Sequence, residues 1–436
     1  MKITCLFSAV RVFFEHMILL RKSAGTDLKE IQFKKYKGLV SHAWDTIPAY
    51  RRLWEDNGFD PSMFNSLDDV RRIPCIDKNF VREYMEDMVS TGYDRSRLSL
   101  VTTGGTTGMP MKFYIDQYVA RPKELAYQLW GGYHYWRHRQ GLDRVVTLRG
   151  YRVKESLIRK KIFWQRNLRE NGIYMSSFHI LEENYDIYIR KLRSYRPRYI
   201  KAYPSAIVAL CHQMQHNHDK GLEGLEGVIC SSETISDWHR KLVKEVLGVE
   251  ILSFYGHSEK AVCAYQNSKG EMEFQPLYGH VEFLDDDDRS VSEKGKAASV
   301  VVTGFDNHYF PFIRYRTDDE VLVSSADIPM IASKIVGRKQ QFVYDEYGNK
   351  VQFTNNDDIF HDISGILAYQ YVQNKPGELI INLQVDSDYR SDVENEILYQ
   401  ASKIFVNFSI CIKIVESIEK TQSGKFRYLV QNVEAK

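Results

Sequence analysis

The chain has 436 residues, 43% of them hydrophobic, 27% charged and 13% aromatic, which is the composition of a soluble globular protein long enough for two or more domains. A formal net charge of +2 excludes a global electrostatic attraction to nucleic acid. The six cysteines (Cys5, Cys75, Cys211, Cys230, Cys263 and Cys411) form no C-x-x-C pair. That excludes a zinc ribbon and a disulfide framework, and suits buried thiols in a cytoplasmic protein.

At the N-terminus Ile3 to Val10 is apolar, but Arg11, Glu15 and His16 interrupt the residues after it, so neither a transmembrane segment nor a cleavable leader is expected. Leu6, Val10, Phe13, Met17 and Leu20 recur at steps of four and three, the pattern of an amphipathic helix. Such a helix packs on the protein's own core or makes a peripheral membrane contact. Asp27 to Trp44 reads as a charged helix, and Pro48, Gly58, Pro61 and Pro74 punctuate the turns behind it. Asp77, Asn79 and Glu83 suit the start of another helix.

Thr102 to Lys112 reads TTGGTTGMPMK, between the apolar, β-leaning Leu98, Leu100 and Val101 and a second such stretch of Met111, Phe113 and Ile115. Glycines let backbone N–H groups approach an anion and threonines add hydroxyl donors, so the loop suits phosphate; an ordinary Gly-rich hairpin is the other reading. No Gly stands five places before a Gly-Lys pair and the flanks are strands, so it is neither a Walker A loop nor a dinucleotide fingerprint.

Tyr127, Trp130, Tyr133, Tyr135 and Trp136 come next, to pack a core or line an apolar pocket. Asp143 to Leu148 is a buried strand. Arg149 to Arg169 holds eight Lys/Arg and one Glu, a solvated basic face or a docking surface for a polyanionic co-substrate. Strand and helix then alternate: Tyr199 to Ala202, Ser205 to Gln215, Gly227 to Cys230, Ser236 to Leu247, and Val249 to Phe254. This rhythm argues for an α/β fold with helix-covered sheets. Two polar loops stand at strand ends, Ser231-Ser232-Glu233 and Tyr255-Gly256-His257-Ser258-Glu259, where ligands of α/β folds bind.

From Gly279 to Arg314 the pattern turns antiparallel, and the four-Asp run Asp285 to Asp288 reads as a solvated turn. Phe312 to Val323 reads as a strand ending on Arg316-Thr317-Asp318-Asp319. A change of texture near Gly337 sets residues 1–336 apart from a compact α+β segment, 337–436. That segment is expected to hold a hairpin turning at Tyr347-Gly348-Asn349, a short helix from Asn355, strands at Leu367 to Val372, Glu378 to Val385 and Ser409 to Val415, and a helix Ser391 to Phe405. It ends on the basic Lys420 to Arg427.

In this order the motifs resemble those of the adenylate-forming ligase superfamily, in its phenylacetate–CoA ligase and CapK-like branch. TTGGTTGMP looks like the phosphate loop S-S/G-G-T-T-G-x-P, and YGHSE at Tyr255 to Glu259 is similar to Y-G-x-T/S-E. RYRTDD at Arg314 to Asp319 resembles R-Y-R-T-G-D, and VGRKQQ at Val336 to Gln341 resembles the hinge motif G-R-x-D-D. KTQSGKFR at Lys420 to Arg427 resembles the C-terminal lysine loop. The resemblance implies a large adenylation domain, 1–336, and a small mobile lid, 337–436. It implies ATP and Mg²⁺, with Thr103, Gly104, Gly105, Thr106, Thr107 and Gly108 on the β/γ-phosphates. Ser231, Ser232, Glu233, Tyr255 and Gly256 would wall the nucleotide and Glu259 would hold the metal. Asp319 would take the ribose hydroxyls, Arg338 the ribose and phosphates, and Lys425 the attacking carboxylate and α-phosphate.

The reaction implied is activation of a small carboxylic acid as its acyl-adenylate, then transfer to CoA or to the amine of a sugar in surface polysaccharide synthesis. A nucleotide-binding protein without activity is the alternative, and a P-loop NTPase a more remote one. Departures from the motifs are Gly104 for Ser, Met111 for a basic residue, Asp318 for Gly, and Gln340 and Gln341 for the two hinge acids. Asp tolerates left-handed backbone better than most residues, so the turn at Asp318 is expected to survive.

Overall fold

The computed structural model describes residues 3–22, 27–103, 111–167, 170–338, 342–353, 359–360, 363–418 and 426–433. The chain divides into two compact units, residues 1–140 with 253–338 and residues 141–252 with 339–436.

In the first unit the amphipathic helix runs Ile3–Lys22 and is followed by Leu28–Thr46, where Asp27 caps the start by accepting the N–H of Lys29 at 2.9 Å. Leu20 is buried with Tyr127, Cys263, Tyr265, Leu277 and Tyr278, so one face of the first helix packs on the core. Val10, Phe14 and Ile18, at steps of four, are 46%, 57% and 52% exposed on another face. Among the described residues no helix is long and apolar enough to cross a membrane. The aromatic run forms the helix Gln117–Trp136, with Tyr127 fully buried and Trp130, Tyr135 and Trp136 partly buried, which is core packing, while Tyr133 is exposed.

Strand Leu98–Thr102 pairs antiparallel with Lys112–Asp116, Thr102 opposite Lys112. The Gly/Thr loop is thus carried on a strand–loop–strand ladder, although residues 104–110 lie outside the described residues. The unit's main sheet is antiparallel, in the order Gly279–Leu284, Ala297–Gly304, Tyr315–Ser325, Ile331–Arg338, Met272–Phe274, Cys263–Gln266, Ile251–Gly256. Asp285 Oδ1 accepts the N–H groups of Asp287 and Arg289, each at 2.9 Å, so the four-Asp run is a self-bonded turn.

One expectation needs correction here. The strand expected from Phe312 begins at Tyr315, and the polar residues 316–319 lie inside it. Arg314 causes the delay. It sits in left-handed backbone at φ 45, and its buried guanidinium donates to Glu282 Oε1 and Oε2 at 3.0 and 2.9 Å and to the Ile73 carbonyl at 2.6 Å. Val336-Gly337-Arg338, read from sequence as part of the hinge, is the end of a paired strand, with Gly337 opposite Glu320 and Arg338 opposite Asp319. The register is irregular there and Gly337 has φ 137, which side chains rarely adopt. Gln340 and Gln341 lie outside the described residues.

In the second unit Gly227–Cys230, Tyr199–Ala202, Val145–Arg149 and Gly172–Ser176 form parallel neighbours, with Trp164–Asn167 antiparallel at the edge. Helices Tyr185–Tyr195, Pro204–His216 and Asp237–Leu247 bury their apolar faces, Leu192, Ile207, Leu210, Leu242 and Val246 among them, in one core. Ser236 precedes the last helix and Gly248, at φ 75, ends it, as expected. The strands Trp164–Asn167 and Gly172–Ser176 and the helix Tyr185–Tyr195 were not anticipated, because charged residues interrupt any clean period there.

The C-terminal part of this unit has its own sheet, in the order Ser409–Ile414, Glu378–Val385, Ile366–Gln373, Leu429–Gln431. Helix Glu394–Ile404 contributes buried Ile397 and Ala401 to the core of Tyr371, Leu379, Ile381 and Leu383. A separate hairpin pairs Phe342–Tyr344 with Lys350–Gln352. The short helix expected from Asn355 begins outside the described residues. The whole is the α/β architecture read from the sequence, with a separate small sheet at the C-terminal end.

Candidate active site

In the first unit the antiparallel ladder ends on a cluster of acids. Strand Ile251–Gly256 delivers Tyr255 and Gly256, and the turn after it delivers His257 and Glu259. The Tyr255 hydroxyl donates to Asp319 Oδ2 at 2.6 Å. Asp319 faces Arg338 across the ladder, Oδ1 to Nε 3.7 Å, and its own N–H donates to Thr317 Oγ1 at 3.1 Å. Glu259 is buried; one carboxylate oxygen accepts from the Tyr315 hydroxyl at 3.2 Å and the other lies 3.0 Å from His257 Nδ1. Burial pushes this carboxyl up, but the charge and hydrogen bond of His257, with the charge of Lys78, outweigh it and hold the group at about 2. Glu259 is therefore an anion at any pH near neutrality.

Two residues join this cluster that sequence reasoning did not name. Lys78 Nζ lies 2.6 Å from Asp318 Oδ2, both side chains being mostly buried. The approach is made by a short parallel bridge: Ile76 N–H donates to Arg314 O at 3.1 Å and Arg316 N–H to Ile76 O at 2.9 Å. Asp77 then caps the helix Lys78–Glu83 by accepting Phe80 N–H at 2.8 Å, which seats Lys78 in the first turn. Asp318 takes φ 64, the left-handed backbone expected where the motif has Gly. Tyr315 stood inside the quoted RYRTDD and so had a signal. Lys78 had none, because its partner is remote in sequence.

Thr103 is at the described end of the phosphate loop. Its N–H donates to Met111 O at 2.9 Å and its Oγ1 accepts Met111 N–H at 3.0 Å, closing the stem while the hydroxyl keeps a proton to donate. Met111 is fully buried and its sulfur lies 3.9 Å from the Tyr315 hydroxyl, so at this departure the side chain is core. Gly104, Gly105, Thr106, Thr107, Gly108 and Lys425 lie outside the described residues.

In the second unit Ser231, Ser232 and Glu233 leave the carboxyl end of strand Gly227–Cys230. Ser231 Oγ accepts from Arg149 at 3.0 Å, and Ser232 has φ 74. Glu233 accepts Ser205 N–H at 2.9 Å, Ser205 Oγ–H at 3.1 Å and Phe426 N–H at 3.2 Å. In the basic run Arg152, Lys154, Arg159, Lys160, Lys161 and Arg166 are all exposed.

Both loops at strand ends therefore carry polar and charged groups. Glu259, Asp318 and Asp319 face the cations Lys78 and Arg338, and His257 Nε2 is buried without a hydrogen-bond partner among the described residues. The buried Glu259 carboxylate offers the oxygen chemistry that a hard divalent cation takes.

A family model described as the CapK C-terminal domain matches residues 343–432. The chain is 22% identical over 442 residues to protein CapK of Staphylococcus aureus, covering 97% of this chain and 92% of the relative. It is 25% identical over 344 residues to a phenylacetate-coenzyme A ligase of Pseudomonas putida, covering 74% of this chain and 73% of that one. Among solved structures, a 2-hydroxyisobutyryl-CoA ligase in the postadenylation state, in complex with R3-HIB-AMP, matches with a TM-score of 0.71 and 18% identity, covering 92% of this chain and 89% of that one.

Proposed function

We infer that this CapK-like homologue of the phenylacetate–CoA ligases, which has the fold of adenylate-forming ligases, activates a small carboxylic acid as its acyl-adenylate with release of pyrophosphate, then transfers the acyl group. The observation that carries the reading is the convergence of Tyr255, Glu259, Asp319 and Arg338, which come from separate motifs, on one end of the first unit's sheet. Residues 1–336 serve as the adenylation domain and 337–436 as the lid, in a cytoplasmic protein.

ATP supplies the adenylyl group. Mg²⁺ would be held by Glu259 and would supply charge neutralisation at the phosphates. Asp319, its orientation set by Tyr255, accepts from the ribose hydroxyls, and Arg338 adds a cation beside them. Thr103 with Gly104, Gly105, Thr106, Thr107 and Gly108 binds phosphate through N–H and O–H donors. Lys425 brings an ammonium to the attacking carboxylate, a point charge that can move away for the second step. Catalysis is positioning and electrostatics at a phosphorus centre.

CoA thiol is the first acceptor, and the exposed basic residues Arg152, Lys154, Arg159, Lys160, Lys161 and Arg166 suit its anionic end. The amine of a sugar in surface polysaccharide synthesis, which the resemblance implies, is the second. The experiment is ATP–pyrophosphate exchange with a panel of carboxylic acids. Exchange with some acid, abolished in Lys425→Ala, is expected. Silence across a broad panel, with ATP still bound, would leave a nucleotide-binding protein without activity.

A further inference from the structure

Asp319, which the motif reading sets on the ribose, follows directly on the departure Asp318, and a lysine from far earlier in the chain holds that departure. Within the strand Tyr315–Ser325, Arg316 stands opposite Val301 and Glu320 opposite Ser299, so Thr317, Asp318 and Asp319 together face the single residue Val300. That is a β-bulge, a device that re-aims a side chain. Thr317 Oγ1 pins it, donating to Val300 O at 2.8 Å and accepting the Asp319 N–H at 3.1 Å. Asp318 takes the left-handed backbone, φ 64, that Gly would take freely. Its mostly buried carboxylate lies 2.6 Å from Lys78 Nζ, and among the described residues it has no other cationic partner. Lys78 is itself fixed by the bridge at Ile76 and the cap at Asp77. All of these residues belong to the first unit.

Resting on the function proposed above, we propose that Lys78 is a positioning residue for nucleotide binding: by holding Asp318 it sets the bulge that aims Asp319 at the ribose hydroxyls. Where the motif has Gly, backbone freedom alone lets the chain turn. Here a side chain occupies the left-handed position and its charge is taken out of water, so the turn needs a counter-charge. Lys78 supplies it. Without Lys78 the Asp318 carboxylate stands beside Asp319 with nothing to balance it, and two neighbouring acids repel. The Tyr255 hydroxyl still holds Asp319 Oδ2 at 2.6 Å, so the loss misdirects Asp319 rather than freeing it.

Lys78→Met keeps most of the side chain's bulk and removes the charge. The AMP dissociation constant from calorimetry should rise roughly tenfold, the scale of one hydrogen bond to a charged group. 2′-Deoxy-AMP lacks one of the hydroxyls that Asp319 would bind. The wild type should prefer AMP over it about tenfold, and Lys78→Met should shrink that preference to about twofold. In pyrophosphate exchange the KM for ATP should rise about tenfold, with the maximal rate within about threefold of wild type. Adding Asp318→Gly restores the residue of the motif and removes the orphaned carboxylate. The double variant should recover AMP affinity and ribose preference to within about threefold of wild type. Hydrogen–deuterium exchange at the Asp319 amide should speed up in Lys78→Met and slow again in the double variant. Lys78→Gln, which keeps a donor for the carboxylate, replaces Lys78→Met if that variant does not fold, with the same order of effects expected.

Equal losses for AMP and 2′-deoxy-AMP that Asp318→Gly does not rescue would overturn the proposal, making Lys78 a direct nucleotide contact or a general support of the fold. Weaker ATP binding with AMP unchanged would also overturn it, by putting Lys78 on the phosphates, as would no change in any readout. If the wild type binds neither AMP nor ATP, the functional reading falls, while amide exchange at Asp319 in the two variants still decides whether Lys78 and Asp318 set the bulge.

Discussion

In the first unit two lysines are taken out of water beside an aspartate, Lys123 with Asp306 and Lys78 with Asp318, and their surroundings differ in sign. Lys123 is 2% exposed; its ammonium lies 2.7 Å from Asp306, donates to Tyr278 O at 2.8 Å and sits 3.7 Å over the Tyr278 ring. Lys35 at 3.3 Å and His16 at 3.7 Å address the same Asp306, so one carboxylate serves two ammonium groups and an imidazole. Burial pushes that carboxyl up and the surrounding cations pull it well below the usual range. Around Lys78 the carboxylates are the more numerous groups, Asp318, Glu259 and Asp319, with Arg338 and His257 beside them. The first cluster is a finished structural knot that ties three helices, through His16, Lys35 and Lys123, to the segment holding Asp306. The second gathers three carboxylates at the ends of strands that come from separate motifs. A cluster built around one buried ion pair contributes to the fold, and one that gathers ionised groups at strand ends is a candidate to bind.

The sharpest way to break this contrast is to remove one acid from each. Glu259→Gln should lower pyrophosphate exchange by roughly 100- to 1000-fold, the scale of losing a principal electrostatic group, with little change in the unfolding midpoint. A melting temperature that collapses with it would make the second cluster structural too. Asp306→Asn leaves Lys123 buried without its counter-charge. Urea titration should show a loss of about 3–5 kcal/mol, with exchange activity per folded molecule unchanged.

Acid should act on the fold before it acts on Glu259. Burial depresses His16 to about 4, with Asp306 opposing, and His239 to about 3, with His212 and Arg240 adding to the effect. His239 Nδ1 accepts the Ser236 N–H at 3.1 Å, a bond the protonated ring cannot make. Both groups fold neutral and unfold basic, so stability is complete above the unfolded value of about 6.5 and drains as pH falls toward the folded values, each by at most roughly 1.4 kcal/mol per unit. Unfolding curves from pH 7 to pH 5 should show this slope, and His239→Gln should flatten it. A flat wild-type profile would remove the argument. The smallest effect belongs to the exposed basic face: neutralising Lys154, Lys160 and Lys161 together should raise the acceptor KM a few-fold and spare pyrophosphate exchange, and an unchanged KM would sink the docking surface.

Much of the fold and the site is legible in the sequence, for reasons that can be named. The helix Asp237–Leu247 carries its own start residue, apolar stripe and stop, so it reads at sight. The segment Trp164–Ser176 does not, because an edge strand with one solvated face and scattered charge has no clean period. Tyr255, Glu259, Asp319 and Arg338 stand in ordered motifs, and the structure places them together. The strand end at Gly337 reads as connective because its ladder partner lies earlier in the chain and its own residues are half-polar.

The amino-acid order alone determined the α/β class, the strand–loop–strand setting of the Gly/Thr loop and the identity of the acids at strand ends. These depend on local period, local turn chemistry and sequence order, all of which a linear reading can see. Only the tertiary structure decided that Lys78 neutralises Asp318, that Arg314 is locked to Glu282, and that Glu233 receives the N–H of a residue 193 positions away. Those pairings follow from which buried charges meet after collapse. Burial makes such a pairing obligatory, because an unpaired charge or amide away from water is costly, but nothing in the linear order says which partner will be there.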